Sequence, residues 1–148
     1  MSKLMCGLLA IMAAVLPMAC QAGVCPGDSL TVGATEVCVD IAESGEDIGR
    51  GLSGREYMAE NHGMLFIFQN SFRYGFWMRE MKFPLDFIWI ADGHVIDLTE
   101  NVPVPESEPL PMYYPSQPVI WVLEVNAGFV GQNGIRIGDR VTLERKGG

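Results

Sequence analysis

Asp92-Gly93 lies between two apolar runs, Asp86–Ala91 and His94–Glu100, and no other dipeptide in the chain restricts its fold so tightly. Asp-Gly tolerates the positive φ angles of a two-residue type I′ turn, and the twist of that turn matches the twist of the strands it joins. The pattern predicts an antiparallel hairpin. A regular ladder then sets Ala91 opposite His94, Ile90 opposite Val95, Trp89 opposite Ile96, Ile88 opposite Asp97, Phe87 opposite Leu98 and Asp86 opposite Thr99. Side chains alternate along a strand. One face should therefore carry Phe87, Trp89, Ile96 and Leu98. The other should carry Ile88, Ile90 and Val95, with Asp86, Asp97 and Thr99 at one end.

Other segments repeat the β signal. Ser29–Gly33, Glu36–Ala42, Val119–Asn126 and Asp139–Arg145 read as strands, and Gly63–Phe68 leaves no polar face, as a fully buried strand requires. Asn70-Ser71 should turn the chain into a second aromatic strand, Tyr74–Met78. Pro84 suits the first residue of a strand, because it has no N–H to give to a central ladder. Glu43–Gly54 has acids early and Arg50 and Arg55 late, the order a helix dipole favours, and predicts a short helix entered from Ser44 and stopped by Gly51 or Gly54. Ala127–Asn133 predicts one helical turn closed at Gly134. Pro103–Pro118 holds six of the nine prolines and should be irregular, a semi-rigid flap. The sum is a mainly β chain, a small barrel-like or sandwich-like single domain with one or two short helices.

The first 22 residues read as a secretory signal: Lys3, an apolar run from Leu4 to Leu16, Pro17, and small residues up to Ala22. The domain would then span 23–148. The competing reading is a lipoprotein signal with Cys20 acylated, to which Pro17 is a poor fit. No other segment is long and apolar enough to span a bilayer. Export leaves Cys25 and Cys38 as an even pair in an oxidising compartment, flanking a hairpin with its turn near Gly33. A bridge there would contribute ~2–3 kcal/mol by restricting the unfolded chain. No Cys-x-x-Cys occurs. The net charge is −8; loss of Lys3 leaves 9 basic against 18 acidic residues, −9. Such a chain is a poor partner for nucleic acid or an anionic membrane.

Several blocks stand together in order: Val39-Asp40-Ile41-Ala42, then Arg50-Gly51-Leu52 with Arg55, then Gly63–Phe68, then Trp77-Met78 with Pro84-Leu85-Asp86, then Leu123–Gly128 and Ile137-Gly138-Asp139. In these blocks the chain resembles the DUF192 family, also called UPF0127, from Val39 to Val141. Ser53 stands where the family usually has methionine, and Arg79, Glu80 and Met81 stand where it tends to carry Lys, Asn and Thr. The resemblance implies a small, mostly exported, barrel-like β domain, and it brings no assigned chemistry.

Three groups of residues are candidates for function. Asp86 and Asp97 should lie diagonally on one hairpin face, their Cβ atoms ~7–8 Å apart, with Glu124 on a facing strand. Paired carboxylates at such spacing can divide acid and base roles around a water, as a hydrolase would need. The plainer reading is that each acid accepts backbone N–H groups or meets an arginine. Trp77, Met78, Tyr113 and Tyr114 form an apolar and aromatic set, with the tyrosines on the proline-rich flap; the set can hold an amphipathic ligand or can be core. His62, Met64, Met78, Met81, His94 and Met112 include soft ligands for Cu(I), although methionine more often fills gaps in a core. The spacing of the two histidines fits no zinc motif, and neither G-x-S-x-G nor a phosphate-cradling glycine pattern occurs. The expectation is an exported, non-catalytic binding module of the cell envelope for a small ligand or a partner's peptide, with no cofactor. Its site is expected where Arg50, Trp77, Met78, Asp86 and Glu124 meet under the flap. The alternatives are a hydrolase using Asp86 with Asp97 or Glu124, and a copper-handling protein.

Overall fold

A computed structural model describes residues 25–146. The expected signal segment, with Cys6 and Cys20, lies outside them. In chain order the elements are β1 (Ser29–Val32), β2 (Thr35–Ala42), α1 (Gly45–Arg50), β3 (His62–Phe72), β4 (Phe76–Trp77), β5 (Leu85–Ala91), β6 (His94–Val102), β7 (Met112–Tyr113), β8 (Val119–Asn126), α2 (Phe129–Asn133) and β9 (Val141–Glu144). The fold class is as expected: mainly β, with two short helices.

Seven strands form one sheet in the order β6-β5-β8-β3-β2-β1-β9, and β4 pairs with β7 in a separate ribbon. All pairs are antiparallel except β2 with β3, which run parallel. A parallel pair cannot be joined by a tight turn, and the segment containing α1 supplies the crossover. Ser44 caps α1 by accepting the Asp47 N–H at 3.1 Å, and the helix stops at Gly51, whose φ of 50° suits glycine. The edges of the sheet curl toward each other. The Val95 N–H donates to the Asp139 carbonyl at 2.9 Å, and the Gly138 N–H donates to the Val95 carbonyl at 2.8 Å. The result is an incompletely closed barrel.

One buried cluster draws side chains from all seven strands, among them Leu30, Val37, Leu65, Ile88, Leu123 and Val141. Only the concave face can bring seven strands together, so this is the barrel interior, joined by Phe129 and Val130 of α2. A second cluster covers the convex face, where Phe66, Phe87, Trp89 and Val122 meet Leu52, Phe76, Met78 and Met81 from outside the sheet. Burial on both faces explains why β5 reads as an unbroken apolar run rather than an alternating one. The Cys25–Cys38 disulfide forms as expected and points to an oxidising, non-cytoplasmic compartment. Among the described residues no helix is long and apolar enough to cross a membrane.

The hairpin departs from its expected register. Asp92 and Gly93 have φ of 49° and 69°, and Ala91 faces His94 and Ile90 faces Val95 as the turn requires. A bulge at Ile96 then intervenes. Trp89 faces Asp97, Ile88 faces Leu98 and Phe87 faces Thr99. One extra residue moves the side chains that follow to the other face, up to a second irregularity between Thr99 and Val102. Leu98 therefore joins the barrel interior. Thr99 crosses to the Trp89 side, where its hydroxyl accepts the indole N–H at 2.9 Å. Asp86 and Asp97 no longer share a face. Two further expectations are corrected. β3 runs through Asn70-Ser71 to Phe72 with an irregularity after Ile67, because its far end still pairs with Val119. The proline-rich segment is not wholly irregular: Met112 and Tyr113 pair with Trp77 and Phe76. Pro111 directly precedes that ribbon and has no N–H with which to extend it on that side.

Candidate functional site

Glu124 sits in the middle of β8 between Met64 of β3 and Phe87 of β5. Alternation along β8 puts it with Val122 on the convex face, amid the second apolar cluster. Its neighbour Gly63 is small for a reason. A Cβ there would lie 2.6 Å from the Glu124 carbonyl oxygen, so glycine permits the close approach of β3 to β8.

The convex face is not completely covered above Glu124. A cavity of about 160 Å³ opens there, and Glu124 lines it together with Arg50, Gly51, Phe66, Tyr74 and Trp77. The end of α1 forms one wall. A Cβ on Gly51 would come within 3.2 Å of the Phe66 ring, so the glycine that stops the helix also lets it close onto β3. The opposite wall is aromatic: Phe68 stacks on Tyr74 at 3.6 Å, and Phe76 stands edge-on to Phe66 at 5.0 Å. Trp77 is 47 % exposed at the rim, with the Arg79 guanidinium 5.6 Å from its ring centre.

Glu124 itself is only 5 % exposed. Burial pushes its carboxyl up to about 8, and no donor or cation among the described residues offsets that desolvation. Arg50 is the cation that lines the cavity. It is turned to Asp47 at 2.7 Å and Glu46 at 4.0 Å on its own helix. The Tyr74 hydroxyl donates to the Asn70 carbonyl at 2.7 Å. The carboxyl therefore faces an aromatic cavity without a partner of its own.

The other candidate residues fall elsewhere. Met78 is buried core, 1 % exposed. Asp86 lies on the opposite face of the sheet from Glu124, where its carboxyl accepts the N–H groups of Asn101 at 2.7 Å and Val130 at 3.0 Å. Asp97 accepts the N–H groups of Leu98 at 2.8 Å and Ser116 at 2.7 Å, and holds the end of the proline-rich segment against β6. The structure therefore does not bring Asp86, Asp97 and Glu124 together, and two of the three are anchors for backbone. Tyr113 packs on Phe87 at 5.8 Å, and Tyr114 lies over Gly75. Both brace the β4–β7 ribbon from outside the cavity. Met64 and Met81 are core, whereas Met112 is exposed. His62 bonds to Asn61 at 3.3 Å and His94 to the Asp92 carbonyl at 2.8 Å. Among the described residues no group of three or more His, Cys, Asp or Glu is placed to hold a metal. Of the residues expected to meet at the site, Arg50, Trp77 and Glu124 line this cavity, and Phe66, Phe68, Tyr74 and Phe76, not among those expected, line it with them. Their density within fifteen residues was the available signal.

These features define a class: a disulfide-stapled, curled β domain whose outer apolar face is covered by a short helix and a two-stranded ribbon. The chain belongs to the DUF192 family, described as "Uncharacterized ACR", whose model matches residues 28–143. No curated protein matches it. It is similar to a crystal structure of a "putative transcription regulator" from Sinorhizobium meliloti 1021, with 32% identity, a TM-score of 0.70, and coverage of 82% of this chain and 97% of that one. It is also similar to a protein of unknown function from Novosphingobium aromaticivorans DSM 12444, with 28% identity, a TM-score of 0.69, and coverage of 77% and 83%.

Proposed function

We propose that this chain is an exported, non-catalytic binding module of the cell envelope that holds a small amphipathic ligand in the cavity over Glu124. The observation that carries this reading is an unpartnered, buried carboxyl at the base of an aromatic cavity open to solvent. Concave sites in which aromatic side chains surround a polar group that fixes orientation are a form that small-molecule pockets take. The disulfide supports export, and the N-terminal 22 residues read as the signal that directs it, with acylation at Cys20 as the alternative route. Arg50 and Trp77 form the rim, and Glu124 orients the polar end of the ligand. A net charge of −8 opposes binding to a phosphate backbone, so the regulatory wording attached to the Sinorhizobium protein is not extended to this chain. The paired-carboxylate hydrolase has no geometric support from Asp86 or Asp97.

Equilibrium dialysis of the protein against fractionated envelope extract, with the retained small molecules quantified by mass spectrometry, tests the reading. Saturable retention of a fraction that Trp77→Ala abolishes while the variant stays folded supports it. Retention of the same fraction by wild type and Trp77→Ala, or by neither, removes it.

A further inference from the structure

The chemistry of the cavity restricts its occupant further, on the basis of the binding reading above. An anion is disfavoured at its base. The ionisable side chain buried there is a carboxyl, and Arg50 is already engaged by Asp47 and Glu46. Aromatic faces surround the space, and their quadrupoles attract cations. A volume of about 160 Å³ is close to the ~150 Å³ of an engineered cavity that holds benzene. We propose that the site takes a small organic amine, a primary ammonium on a short aromatic or alkyl stem, with the ammonium donating to Glu124 and the stem lying against Phe66, Phe76 and Trp77.

Such binding has a proton signature. The titratable and charged groups that line the cavity with Glu124 are Arg50 from α1 and the Tyr74 phenol beside β4. β3 and β5 place Met64 and Phe87 directly against it. With burial as its cause, the raised value of about 8 leaves the empty site mostly protonated at pH 7. An ammonium then binds with release of the carboxyl proton to solvent. Its affinity should rise about fivefold from pH 7 to pH 8 and level off above that, until the amine loses its own proton. A neutral ligand of the same shape releases no proton.

Calorimetric titration of the oxidised protein with benzylamine, and separately with benzyl alcohol and toluene, tests this at pH 6, 7, 8 and 9 in buffers of different ionisation enthalpy. The expected result is benzylamine binding at least tenfold tighter than benzyl alcohol at pH 8, with proton release and the stated rise. Glu124→Gln, folded by circular dichroism and thermal unfolding, should bind amine and alcohol alike. Benzyl alcohol or toluene binding as tightly as the amine in the wild type overturns the amine while leaving the pocket in place. Equal amine binding by wild type and Glu124→Gln also overturns it. No binding by any probe removes the amine and the pocket together.

Discussion

Asp86 Oδ2 accepts the backbone N–H of Val130 at 3.0 Å, tying the start of β5 to the start of α2 across 44 residues. The other oxygen accepts the Asn101 N–H at 2.7 Å, where β6 has an irregularity and Asn101 adopts φ of 54°. One buried carboxyl thus holds three elements. A buried donor left without its acceptor is costly. Asp86→Ala should lower unfolding free energy by ~3 kcal/mol in urea titration, and Asp86→Asn, which retains one acceptor oxygen, by less. A loss for Asp86→Ala within the scatter of ordinary surface substitutions would show that the anchor is dispensable.

The buried acid imposes a pH dependence of known sign. Glu124 is raised from 4.5 to about 8 by desolvation, so between those values the folded state holds a proton that the unfolded state has lost. Its contribution is greatest below pH 4.5, falls with rising pH by up to ~1.4 kcal/mol per unit, and levels off above pH 8. Unfolding of the wild type compared with Glu124→Gln should show the wild type losing ground from pH 5 to pH 8. Parallel profiles would mean that the carboxyl is well solvated.

The disulfide closes a short loop, at a sequence separation of 13 between Cys25 and Cys38. Chain-entropy reasoning gives ~2–3 kcal/mol for such a loop. Reduction, or a Cys25→Ala, Cys38→Ala double variant, should lower the midpoint of denaturation accordingly without changing the sheet signal in circular dichroism. A midpoint that does not move would indicate that the hairpin is already formed in the unfolded chain.

The tryptophans should separate stability from binding. Trp89 is fully buried and donates its indole N–H to Thr99. Trp89→Ala should cost ~3–5 kcal/mol. Trp77, 47 % exposed at the cavity rim, should cost under ~1 kcal/mol when replaced by alanine, a loss in the range of surface substitutions. Equal losses would place Trp77 in the core.

Much of this architecture was written locally. The Asp92-Gly93 turn, the cap at Ser44, the stop at Gly51 and the Cys25–Cys38 pair each depend on residues close together in the chain or on a single residue's φ preference, and each formed where local chemistry placed it. Family membership was equally legible, because the matching blocks are contiguous strings. The bulge at Ile96 was not. A bulge inserts one residue into a ladder, and whether it forms depends on which face of each strand finds a core. Here both faces do, so alternation in β5 and β6 carried no information about register. The candidate site depended on the same long-range packing. Glu124 reads as one acid in an apolar strand; only the parallel pairing of β2 with β3, the closure of Gly51 onto Phe66 and the ribbon of β4 with β7 set a cavity above it. Turns and caps are decided within a few bonds, whereas a pocket is the space left between elements whose positions are set by contacts distant in sequence.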